Sequence, residues 1–262
     1  MRPKHYMKIE HPKEIDITDA HAVAKEILDD DRWIKDAFSK HLSTEILQFS
    51  EILAECFKRF PLLDTLSSGG NEQAAFVSGY MFGVLDDLLV SMKLLVAGKM
   101  SASGNLMRQA IEGIAIAILC STSALISVKK KKEVVKIKYW EKVKHRDPLV
   151  YAHLSIDHLE SNCELLGASH DAIKKLRSAR KHCHLFSHPG FMGMALRMNM
   201  DGSDSLYIGG SFDEGKLHAY KIEIDERIGL CGLLPNIIDG LISNLNAKTF
   251  ASPVLEGQER RA

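Results

Sequence analysis

Arg177, Arg180, His182, Cys183, His184 and His188 crowd one short stretch ending His188-Pro189. Nowhere else does the chain gather so many side chains able to move protons, hold phosphate or ligate metal. Three roles compete for them. Histidine with arginine is the set that cleaves RNA through its own 2′-hydroxyl: imidazole handles the proton, and guanidinium stabilises charge developing on the phosphorus oxygens. His184 and His188, spaced i,i+4, with His182, Cys183 or Glu112 as a third ligand, form half of a zinc site. Leu185, Phe186 and Ser187 fill the gap between those two histidines, so the acid of an HExxH helix is missing and no metal or other cofactor is expected. The third role is structural, with the same groups capping a helix and bonding carbonyls at the turn that follows.

Helix geometry sorts the cluster. Arg177, Arg180, His184 and His188 recur at three- and four-residue steps and share a face, whereas His182 and Cys183 point elsewhere. Pro189 disfavours helical backbone at His188 and so puts that imidazole near the negative end of the helix dipole, where its cationic form is favoured. The candidate catalytic set is therefore Arg177, Arg180, His184 and His188.

The elements that must position this set read as helices. Ser169 or Asp171 caps a helix that carries the cluster, and Pro148 opens the preceding one, closed by Gly167. Upstream, Trp33, Phe38, Leu42, Ile46, Phe49 and Leu53 make an apolar stripe over about residues 31–60, which Pro61 and Gly69-Gly70 interrupt. A helix over about 72–97 is apolar on most sides, carries Gly79 and Gly83 on one of them, and ends at Gly98 as a C-cap. The helix over about 101–124 is apolar except for Asn105, Arg108 and Glu112. Arg108 and Glu112 are spaced for an i,i+4 ion pair at a surface edge. Alternatively they line an internal cleft, where they orient the functional side chains of another helix.

After Pro189-Gly190 the pattern shortens. Segments 191–200, 205–212 and 217–224 partly alternate and are separated by Asp-Gly and Glu-Gly turn chemistry, which predicts an antiparallel β-hairpin or three-stranded flap over 191–224. A C-terminal helix over 225–247 and a tail over 248–262 complete the chain. The fold class is mainly α: a single-domain helical bundle over 1–262, with N-terminal helices over 1–70 and a core bundle over 72–188.

The 34 basic and 34 acidic residues cancel, so no global field draws nucleic acid or membrane to the molecule, and such binding has to be local. The local candidate is the run Lys129, Lys130, Lys131 and Lys132, continued by Lys136, Lys138, Lys142 and Lys144. Its ordinary role is a solvated face; its sharper role is a phosphate track for RNA, with Tyr139 and Trp140 available for stacking. Five scattered cysteines without a CxxC pair fit a reducing cytoplasm. No apolar run follows Arg2, Lys4 and Lys8, so no secretory signal is expected, and Ile114–Val128 is too short and interrupted for a membrane span.

Leu106-Met107-Arg108-Gln109-Ala110-Ile111-Glu112 on an apolar helix, followed far downstream by a helix ending His-Pro and then a glycine-rich hairpin, resembles an uncharacterised bacterial branch of the HEPN-like helical superfamily over roughly residues 72–245. The resemblance implies a helical bundle that forms a homodimer and a metal-independent ribonuclease of a toxin or defence system. Its signature is an arginine, a polar residue, a short gap and a histidine, which Arg177-Ser178 with His182 or His184 satisfies; the shared face favours His184. The expectation is thus an RNA-cleaving or RNA-binding protein. The alternative is a non-catalytic helical module that binds a protein partner or small ligand, for which a roomy apolar pocket away from the Arg/His helix would be the mark.

Overall fold

The structure is a computed structural model that describes residues 16–68, 70–187, 190–200 and 206–249. Its helices are α1 (Ala20–Ile27), α2 (Arg32–Thr65), α3 (Glu72–Val96), α4 (Met100–Ser121), α5 (Tyr139–Lys144), α6 (Ser155–Ser161), α7 (His170–Ser187), α8 (Phe191–Ala195), α9 (Leu217–Cys231) and α10 (Leu234–Thr249). Between α4 and α5 lies one hairpin, β1 (Ile126–Lys130) with β2 (Glu133–Ile137). A mainly helical bundle with a small antiparallel hairpin and a C-terminal helix is what the sequence predicts.

The hairpin's position is not. Residues 191–224, expected as a β flap, instead form α8, a single bridge between Met198 and Leu206, and the first half of α9; the expected turn at 201–204 lies outside the described residues. From Leu217 onward the buried positions are Tyr220, Glu223, Ile224 and Arg227, a helical period that conceals a charged pair, whereas an alternating strand would also have buried Ile222, which is exposed. The real hairpin buries Ile126 and Val128 and pairs them with Ile137 and Val135. Its turn is Lys131-Lys132, with Lys131 held left-handed at φ 57°. No glycine or asparagine marks that turn.

α3 and α4 form the central antiparallel pair. Asn71 caps α3 by accepting from the Ala74 amide, and a corner at Gly98 reverses the chain into α4. Near the open end Gln73 donates to the Cys120 carbonyl, and near the corner the Ser91 and Ser103 hydroxyls exchange hydrogen bonds with each other's carbonyls. α7 packs on α4 where Gly104 lets Phe186 approach; a Cβ at Gly104 would lie 2.9 Å from that of Phe186. α2 and α9 close the other side through Phe38, whose ring centroid is 4.7 Å from that of Tyr220 and 5.0 Å from that of Phe212. One contiguous apolar core runs through α2, α3, α4, α7, α9 and α10. α2 passes through Pro61 to Thr65, past the expected stop, and its irregularity falls instead at Leu42 (φ −133°, ψ 24°). By length and hydropathy the stretches Glu72–Val96 and Glu214–Ala247 would suffice to cross a bilayer; here both belong to the bundle and contribute to its core.

Candidate functional site

A cavity of about 650 Å³ opens between α3 and α4, with Ala152 also among its lining residues. The volume lies within the range of small-molecule sites. The α3 wall is one helical face: Phe76, Tyr80, Val84 and, between them, Gly79 and Gly83. The α4 wall is Gln109, Glu112, Gly113 and Ile116 at i, i+3, i+4 and i+7. Glu72 and Asp87 stand at opposite ends of the α3 wall, and about fifteen residues of helix make the groove about 22 Å long.

The glycines shape this space in two ways. At Gly113 a Cβ would meet Val84 Cγ2 at 2.8 Å, so that glycine lets α3 and α4 close together. At Gly79 and Gly83 an added Cβ would meet nothing within 4 Å. Each glycine inside a helix costs about 1 kcal/mol relative to alanine, and no packing contact around these two requires the smaller residue. They leave room on the cavity side.

Three carboxylates line the groove, and they differ in how their charge is met. Glu72 accepts from Lys144 Nζ at 2.7 Å. Glu112, largely buried, accepts from Arg108 Nε at 3.0 Å. Asp87 has no hydrogen bond or ion pair among the described residues, and partial burial, with the Asp86 charge beside it, holds its carboxyl above the ordinary range. Burial also pushes the Tyr80 phenol up. No lysine, arginine or histidine among the described residues lines the cavity.

Comparison with protein-family models, curated proteins and solved structures finds no match to this chain.

The residues singled out in the sequence are spread over different surroundings. Arg177 is held between Asp157 (2.8 Å) and Glu160 (2.5 Å), so its charge is already met by two carboxylates of α6. Arg180 donates to the His153 carbonyl at 2.8 Å. His184 is exposed on α7, one turn from Arg180 but about 10 Å along the axis from Arg177. His188 lies outside the described residues. Among the described residues no three His, Cys, Asp or Glu side chains gather to hold a metal ion. Arg108 and Glu112 do pair, and Glu112 faces the α3/α4 cavity. Lys129 and Lys130 end β1, Lys131 and Lys132 form the turn, and all four are exposed.

Sequence reasoning missed the most buried polar network. Arg227, only 1% exposed, donates from Nε to Ser91 Oγ at 3.1 Å, from Nη2 to Ser103 Oγ at 2.6 Å and from Nη1 to Glu223 Oε2 at 3.0 Å. Glu223 Oε1 lies 2.6 Å from His182 Nε2. Burial works to raise the Glu223 carboxyl, yet the His182 hydrogen bond and the Arg227 charge hold it below the usual range. The same hydrogen bond raises the His182 imidazole against its own partial burial. These bonds tie α3, α4, α7 and α9 together. The one sequence signal was the i,i+4 spacing of Glu223 and Arg227, obscured by reading residues 217–224 as a strand.

Proposed function

We propose that this protein is a helical binding module that takes a small, largely apolar molecule into the groove between α3 and α4. The observation that carries the reading is the cavity itself: about 650 Å³, walled by Phe76, Tyr80, Val84 and Ile116, and left open at Gly79 and Gly83. No residue of the Arg/His helix α7 is among the lining residues. Little supports the ribonuclease suggested by the HEPN resemblance, because the Arg177 guanidinium is engaged by Asp157 and Glu160.

The test is titration with the neutral fluorescent probe N-phenyl-1-naphthylamine. The native protein is expected to give saturable, single-site emission. A Gly79→Leu/Gly83→Leu variant, which fills the groove while improving helix propensity, is expected to keep its helical circular dichroism and lose roughly tenfold or more in probe affinity, as the burial of several methylenes would be forfeited. Unchanged affinity in that variant would place the probe elsewhere and end the reading.

RNA binding through the hairpin is a second reading, favoured by one observation: Lys129, Lys130, Lys131 and Lys132 are exposed together and none forms a salt bridge among the described residues. If the reading holds, substituting all four by alanine weakens binding of a single-stranded RNA in fluorescence anisotropy. The slope of log affinity against log salt is then expected to become shallower by about 0.7 for each phosphate that the variant no longer neutralises. Equal slopes for the two proteins would remove it.

A further inference from the structure

We infer that the molecule taken by the α3/α4 groove carries one positive charge, an amine or ammonium seated on Asp87, with its apolar body extending along α3 toward Tyr80 and Phe76. The inference rests on the cavity being a ligand site and adds the ligand's chemical class.

Unbalanced charge on a confined wall decides that class. Of the three carboxylates that line the groove, Glu72 is met by Lys144 and Glu112 by Arg108. Asp87 is met by nothing among the described residues, and its neighbour Asp86 adds further negative charge. An anionic ligand such as a fatty acid or phosphate ester would find no lysine, arginine or histidine among the described lining residues and would face Asp87. A neutral ligand would bring Asp87 no counter-charge at all. A monocation supplies it at a partly desolvated carboxylate, where a charge-assisted hydrogen bond is stronger than at an exposed one. The groove's shape agrees: one end carries the uncompensated charge, and the wall between the ends is glycine, aliphatic and aromatic.

The experiment compares octylamine, octanol and octanoate, which share a chain and differ in charge near neutral pH, as competitors of N-phenyl-1-naphthylamine. Octylamine is expected to bind roughly tenfold or more tightly than either of the others, the scale of one charge-assisted hydrogen bond. Asp87→Asn should bring octylamine to within about twofold of octanol measured in the same variant, and Asp86→Asn, on the exposed neighbour, should keep most of the preference. If the three compounds bind alike, or the amine preference survives in Asp87→Asn, the charge inference fails while the cavity reading stands on the probe and the Gly79→Leu/Gly83→Leu variant. If neither the probe nor any of the three binds, the cavity reading itself fails and this inference with it. Melting curves of each variant verify folding, and removing an unpaired carboxylate by an isosteric amide is expected to leave them intact.

Discussion

Arg227→Met is expected to destabilise the fold by about 3–5 kcal/mol, the cost of stripping one partner from a buried ion pair. The guanidinium is almost wholly buried and bonds Ser91, Ser103 and Glu223 at once. Methionine fills most of its volume, so the loss reports charge and hydrogen bonding more than an empty cavity. Ser91 and Ser103 retain their mutual bonds across α3 and α4. Glu223 does not fare as well: it keeps only His182, which lies at the solvent side of the network with its side chain about one-third exposed. A total stability of typically about 5–15 kcal/mol makes such a loss visible in urea unfolding. The double variant Arg227→Met/Glu223→Leu should recover much of it, since replacing both members of a buried pair by apolar groups is often neutral. A single-variant loss below about 1 kcal/mol would mean that the pair is hydrated in solution and does not clamp the four helices.

That network also shows where the sequence was legible and where it was not. α3 and α4 were readable to within a few residues because their apolar positions repeat along whole helices and because Gly98 supplies an ordinary end signal between them. The hairpin was hidden by its own lysines: Ile126, Val128, Val135 and Ile137 alternate as a strand pair should, but the turn between them lacks the usual glycine or asparagine. Over residues 217–224 the opposite happened. Tyr220, Ile222 and Ile224 alternate by type, and only the three-dimensional packing reveals that Tyr220, Glu223, Ile224 and Arg227 form the buried face. The groove was half legible. Gly79 with Gly83, and Arg108 with Glu112, stood out on apolar helices, whereas Asp87 gave no signal because its meaning depends on which basic groups fail to reach it. For the Arg/His helix, spacing could place Arg177 and His184 on one face but could not foresee that α6 would bring Asp157 and Glu160 against Arg177.

The second large effect is expected at the corner between α3 and α4. There the Lys99 amide donates to the Leu94 carbonyl at 2.8 Å and the Gly98 amide to the Leu95 carbonyl at 2.9 Å, the paired bonds of a Schellman motif. Gly98 occupies the left-handed position at φ 71°, and a methyl group there would overlap the backbone of Ser211. Gly98→Ala therefore meets two penalties, roughly 1–2 kcal/mol for left-handed backbone at a residue with a Cβ and roughly 1–3 kcal/mol for the movement that relieves the overlap. Gly167→Ala separates them. Its φ of 61° is similar, but a Cβ there meets open space, so only the backbone penalty applies. The excess loss at Gly98 over Gly167 in urea unfolding then measures how tightly residues 210–212 are pressed onto the corner. Movement of that segment also carries Phe212 away from Phe38 and Tyr220, so near-ultraviolet circular dichroism should change for Gly98→Ala and not for Gly167→Ala. Equal losses at the two glycines would show that the segment yields freely, and the corner would then be held by its own hydrogen bonds alone.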